Sequence, residues 1–173
     1  VKSTVSDSPR AQAGGEWQAT TPENVKSFTA TGYFFALNLH RELGVPIGII
    51  KATLGGSPVE GWISQEALAD PVFKVVHERW REMKPRIKGD GIRAQPSGLY
   101  NGLIVPLEPY ALKGFLWYQG EGNHRHPLEY GRLFRTMITQ WRRDFGQGDL
   151  PFVFVQLPDY AEPGDQTEQS WAW

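Results

Sequence analysis

No cysteine occurs among the 173 residues. Disulfides, thiolate nucleophiles and zinc–thiolate centres are therefore excluded, while the redox compartment stays open. No run of about 18 apolar residues exists, so no segment reads as a membrane-spanning helix. The formal net charge is only -1, which argues against a nucleic-acid binder working through a basic field. There is no internal repeat and no low-complexity tract. The first residues, Val1-Lys2-Ser3-Thr4-Val5, lack a starting Met and the apolar core of a signal peptide. The last, Ser170-Trp171-Ala172-Trp173, show no cap. Both termini are expected to be cuts in a longer chain.

What is present fits an ordinary soluble globular protein. Apolar residues make up 40% and charged residues 21%, the usual balance for a folded domain. The length suits one domain, residues 1–173, with a proper core. Seven Trp suit a large core, a stacking surface for sugar rings, or both.

Ser6 to Thr21 reads as loop. Thr21-Pro22-Glu23-Asn24 predicts a helix start, with Thr as N-cap and Pro in the first turn. An apolar stripe from Phe28 to Leu43 follows, and Gly44 stops it. Ile47 to Leu54 is nearly continuously apolar, as a strand covered on both faces should be. A helix is predicted from Val72 through about Lys84, with Lys74, Arg79, Arg81, Glu82 and Lys84 outward. Pro85 to Pro96 reads as a mobile connection, and the charges from Arg79 to Arg93 as a solvated face. Pro106 and Pro109 limit any helix between Leu99 and Tyr110 to a short one. Leu112 to Tyr118 is the second strand expected. Pro127 opens the longest helix, carrying Leu133, Phe134, Met137, Ile138 and Trp141 on one face. Phe152 to Leu157 is the third strand, and Ala161 to Gln169 reads as loop. The order predicts an α/β fold, a parallel sheet with helices on both faces.

Two strand ends carry the chemistry. Trp117-Tyr118 runs into Gln119-Gly120-Glu121-Gly122-Asn123, and Thr53-Leu54 into Gly55-Gly56-Ser57-Pro58. Carboxyl ends of strands are where open α/β sheets bind ligands. Ester hydrolysis passes through an oxyanion that needs preset donors. Backbone N–H groups at Gly55 and Gly56 and the amide of Gln119 suit that need, and Asn123 could serve likewise. A Gly-Gly pair alone is more often a plain turn; two polar strand ends in one chain shift the balance toward a site. Glu121 is a candidate acid, base or anchor, and equally a loop carboxylate bonding backbone; Glu60 has the same ambiguity. His124-Arg125-His126 invites a metal, yet such pairs are more often surface histidines. His40 and His77 read as structural or exposed. Ser57 lies outside any Gly-x-Ser-x-Gly elbow and is not expected to be a nucleophile.

Several stretches together resemble the sialate O-acetylesterases. These are Val45 to Trp62, Leu99-Tyr100-Asn101-Gly102-Leu103-Ile104-Val105-Pro106-Leu107, Trp117-Tyr118-Gln119-Gly120-Glu121, Trp141-Arg142-Arg143 and Pro151 to Leu157, with Phe28 to Leu43 extending the likeness. The resemblance covers nearly the whole chain and is weakest from Arg86 to Pro96. It implies an SGNH-type hydrolase with a flavodoxin-like three-layer α/β/α sandwich, incomplete here at both ends. It implies removal of O-acetyl groups from sugars by a Ser-His-Asp mechanism with no metal and no cofactor. Gly55 or Gly56 and Gln119 would be oxyanion donors, with Glu121 holding the loop. The family's Gly-Gln-Ser-Asn-like nucleophile turn and Asp-x-x-His pair have no counterpart here. Both are expected outside this chain, leaving the fragment inactive alone. An O-acetylated sugar is the expected partner, with no nucleic acid and no membrane; an oligomer is possible, and the parent is suspected to be secreted or periplasmic. The competing readings are a sugar-binding or scaffold module without catalysis and a metal-dependent hydrolase using His124 and His126.

Overall fold

The computed structural model describes residues 1–158; the expected loop from Ala161 to Gln169 lies outside them. Helix α1 spans Ala30–Leu43 and ends on Gly44, whose φ of 66° gives a left-handed cap with its N–H on His40 O. Glycine takes that conformation without the steric cost of a side chain. Thr21 Oγ1 accepts from Asn24 N at 3.2 Å, but it starts a short 3₁₀ turn, Asn24–Ser27. The α-helix itself begins after an extended Thr29. Helix α2, Gln65–Leu68, is capped by Ser64, which accepts from Ala67 N. Helix α3 covers Lys74–Met83.

Tyr100–Ile104 and Val105–Leu107 form two short, almost wholly buried turns, as the flanking prolines require. Strand β1 is Phe115–Trp117. Helix α4, Pro127–Phe145, has Pro in its first turn and Gly146 as a left-handed cap. Strand β2 is Phe152–Phe154. The two strands pair in parallel, Phe115 with Phe152 and Trp117 with Phe154. The chain is therefore α/β with a parallel sheet.

The core is built jointly by that sheet, α4, the turn at 59–62, α2, α3 and residues 99–107. Phe115 and Trp117 share one face and meet Trp141 at ring distances of 5.2 and 5.8 Å, while Trp62 packs edge-on against Trp117. Trp141 also donates from Nε1 to Trp62 O at 3.0 Å, which ties the turn at 59–62 to α4. Leu133, Met137 and Trp141 are buried at the spacing read from the sequence; truncating such a side chain costs about 2–5 kcal/mol.

Two expectations are corrected. Ile47 to Leu54 is extended but is not a strand. Ile50, Ala52 and Leu54 are half-buried and alternate with exposed Lys51 and Thr53, yet no ladder forms among the described residues. Its neighbours are instead residues 1–3: Val1 donates its amino group to Lys51 O at 3.0 Å, and Ser3 Oγ donates to Thr53 O. A strand needs a partner as well as a pattern. Residues 85–96 are not a bare tether either. They fold into 3₁₀ turns, Lys84–Arg86 and Gly89–Ala94, and Ser97 N donates to Glu60 O at 3.0 Å.

Candidate active site

The first loop is a four-residue turn, Leu54-Gly55-Gly56-Ser57, closed by Ser57 N to Leu54 O at 3.4 Å. Gly56 has φ of 68°, and Gly55 does not share the positive sign. That pairing is the type II arrangement, which wants glycine at the third position. Ser57 is buried, donates from Oγ to Leu54 O at 2.7 Å and accepts from Trp62 Nε1 at 3.0 Å. Its hydroxyl is a brace in both directions.

The second loop leaves β1 at Trp117 and closes on a 3₁₀ turn, Glu121–Asn123. Its backbone is pinned to α4, since Tyr130 donates to Gln119 O and itself accepts from Trp117 Nε1, both at 3.2 Å. Burial pushes the Tyr130 hydroxyl up; the Trp117 bond lowers it and the charge of Glu121 adds to the rise.

The two loops are bonded directly to each other. Gln119 Nε2 donates to Ser57 O at 3.0 Å and to Asn123 Oδ1 at 2.8 Å. Asn123 Oδ1 also accepts from Val59 N, and Asn123 Nδ2 donates to Glu60 Oε2, both at 2.8 Å. Val59 N only donates, and Ser57 O and the Glu60 carboxylate only accept, so both amide orientations are dictated by chemistry. Gly122 fits beneath Ser57: a Cβ there would lie 2.7 Å from Ser57 O. Sequence separations of about sixty residues are closed by this network.

Gln119 therefore spends both amide hydrogens inside the loops. Its Oε1 is buried and without a donor among the described residues. Gly55 and Gly56 are exposed, and among the described residues neither backbone N–H has an acceptor. Glu121 makes no hydrogen bond or ion pair among those residues with its carboxylate, and the loop is held by Asn123 and Glu60 instead. Asn123 and Glu60 are each among the least exposed polar residues. A cavity of about 190 Å³ sits at the carboxyl ends of β1 and β2, with Trp117, Tyr130, Phe134 and Phe154 on its apolar side and Gln119 and Asn123 on its polar side. It does not reach Gly55 or Gly56.

The remaining candidates fall outside this network. His124 is exposed, with Nδ1 against Glu121 O at 2.7 Å. His126 precedes α4; burial, then the charge of Arg79, holds its imidazole below the ordinary value. No group of three or more His, Asp or Glu among the described residues is placed to hold a metal ion. His40 and His77 bond Val45 O and Leu68 O. The charges from Arg79 to Arg93 are not all a solvated face. Arg79 is largely buried and paired with Glu129 of α4, and Arg93 Nη1 donates to Gly55 O at 2.7 Å. No local signal marks Arg93, because its partner lies 38 positions earlier.

Residues 9–171 match the family described as carbohydrate esterase, sialic acid-specific acetylesterase. The rat sialate O-acetylesterase is 33% identical over 166 residues, covering 79% of this chain and 31% of that protein. The human sialate O-acetylesterase is 33% identical over 158 residues, covering 82% and 28%. The crystal structure of a carbohydrate acetylesterase from Xanthomonas citri superposes with a TM-score of 0.78 at 40% identity, covering 92% of this chain and 33% of that one. The chain thus spans about a third of the length of these relatives.

Proposed function

Since the chain belongs to the sialic acid-specific acetylesterase family of carbohydrate esterases, we propose that it is part of a hydrolase that removes O-acetyl groups from sugars. The substrate is an O-acetylated sugar, either a sialic acid or an acetylated polysaccharide. Residues 1–173 form one part of the esterase domain. A serine outside these residues attacks the acetyl carbonyl while a histidine takes its proton; the tetrahedral oxyanion collapses, the histidine gives that proton to the departing sugar oxygen, and water then hydrolyses the acetyl-serine to acetate and free serine. The serine and the Asp–His pair are assigned outside because no Gly-Gln-Ser-Asn-like turn and no Asp-x-x-His occur in the 173 residues.

One observation carries this reading. The two glycine-rich loops are bonded directly to each other, through Gln119 to Ser57 O, and the exposed Gly55 and Gly56 just before Ser57 keep backbone N–H groups with no acceptor among the described residues. These groups meet the charge on the oxyanion. Gln119 joins them as a donor by moving one Nε2 hydrogen from Ser57 O to the oxyanion.

The test is Gln119→Ala in the full-length protein, read as acetate release from acetylated sugars. Loss of an oxyanion donor lowers turnover by about 100- to 1000-fold; an unchanged rate removes Gln119 from the site. Binding of acetylated sugars by the wild-type protein without acetate release would favour a sugar-binding module instead. The 173-residue chain alone should hydrolyse p-nitrophenyl acetate no faster than buffer, and turnover blocked by a serine-directed inhibitor would contradict the placement of the nucleophile.

A further inference from the structure

The Gly55–Gly56 peptide has two orientations open to it. Type I and type II turns differ by a flip of the central peptide, and glycine on both sides leaves that flip without side-chain hindrance. The flip matters because a trans peptide points its C=O and N–H in opposite directions. In the type II orientation seen here, Gly55 O faces Arg93 Nη1 at 2.7 Å, so Gly56 N–H points away from the guanidinium. In the flipped form the carbonyl oxygen would take the place of the N–H and repel an oxyanion.

We propose that Arg93 is a positioning residue that holds the Gly55–Gly56 peptide with Gly56 N–H turned toward the acyl oxygen. This rests on the esterase reading above. The bond is charge-assisted, hence stronger than a neutral one, and it draws electron density toward Gly55 O, which makes Gly56 N–H a better donor. Three further observations support it. The guanidinium lies close over Gly56, where a Cβ would meet Nη1 at 3.1 Å, and the φ of 68° there favours glycine. Arg93 belongs to the Gly89–Ala94 turn, whose following residues are anchored to the adjoining turn at 59–62 by Ser97 N on Glu60 O. Ser97 is buried with φ of 62°, a costly conformation for serine that persists only where the surroundings impose it. The arginine therefore comes from a braced platform.

In the full-length protein, Arg93→Ala should lower kcat on p-nitrophenyl acetate by about 10- to 100-fold, the loss expected for one charge-assisted bond, with KM near wild type. Millimolar guanidinium chloride should restore part of that kcat and leave the wild type unchanged, an effect a merely structural role would not produce. Arg93→Lys should fall between the two, and carries the test if the alanine variant does not fold. Wild-type kcat in either variant, or a loss of kcat that guanidinium does not relieve in folded Arg93→Ala, overturns the proposal. No acetate release by the wild-type protein overturns the esterase reading instead. The carbonyl carbon-13 shift of Gly55 then still reads the bond, and no change on Arg93→Ala overturns it independently of activity.

Discussion

Asn123 is the hub of the loop network, and replacing it by alanine tests the network most directly. Its carboxamide makes three bonds, each at 2.8 Å, to Val59 N, Gln119 Nε2 and Glu60 Oε2. Val59 is 0% exposed and Glu60 6% exposed, so water does not readily replace what is lost. An orphaned Val59 N–H costs about 1–3 kcal/mol, and the bond to the Glu60 carboxylate contributes about 1.5–3 kcal/mol. Gln119 keeps its bond to Ser57 O and adds less. Asn123→Ala should therefore destabilise the chain by about 3–5 kcal/mol, with water admitted to the vacated space bringing it toward the lower end. That is a large share of the about 5–15 kcal/mol that holds a domain folded. Urea unfolding followed by Trp fluorescence measures it, since Trp62 and Trp117 lie beside the network. Hydrogen exchange at the Val59 amide should accelerate in parallel. A double-mutant cycle with Glu60→Gln should give a coupling of about 1–2 kcal/mol. A cost below about 0.5 kcal/mol, or strict additivity in the cycle, would mean the bonds contribute nothing beyond what water supplies in the unfolded chain, and the bridge between the loops would lose its energetic basis.

Two other measurements follow from the geometry. Gly131 sits in α4 with open space around a would-be Cβ, so Gly131→Ala should raise stability by about 0.5–1 kcal/mol. Gly122→Ala would press a methyl group against the Ser57 backbone and should lower it by about 1–3 kcal/mol; the same thermal melts read both, and equal signs would contradict the packing described. Tyr100 OH reaches Glu108 Oε1 at 3.0 Å and Asp144 Oδ2 at 2.8 Å. Burial raises the Glu108 carboxyl above its ordinary 4.5; the Tyr100 bond works against that rise and the charge of Asp144 adds to it. An acid raised on folding is stabilising below its unfolded value and loses that contribution as pH rises through the folded value. Stability should accordingly fall as pH climbs from about 4.5, and Glu108→Gln should flatten that slope; an unchanged slope would place the titration elsewhere.

Much of the helical framework was legible because its signals are local. Gly44 and Gly146 end α1 and α4, and Pro127 opens α4, each for a reason contained within a few residues. The parallel pairing of Leu112–Tyr118 with Phe152–Leu157 was legible from apolar runs flanking a helix, although only three residues of each form the ladder. Ile47 to Leu54 misled because its apolar pattern is that of a covered strand, and pattern says nothing about whether a partner lies alongside. The basic stretch up to Arg93 misled for the opposite reason. A charge run is usually solvated, and nothing near it in the chain announces a carbonyl waiting at Gly55. Glu121 and Gln119 were picked out together as neighbours, yet the carboxylate that reaches the network is Glu60.

The residues themselves determined that two glycine-bearing loops would carry amides at the ends of apolar segments, and determined family membership through their joint pattern. Only the tertiary structure decided that Asn123 joins those loops, that Gln119 turns its hydrogens inward, and that Arg93 holds the Gly55–Gly56 peptide. Propensity acts through the backbone over a few residues, whereas these bonds join groups 38 to 64 positions apart. Their existence depends on where packing brings a donor to an acceptor.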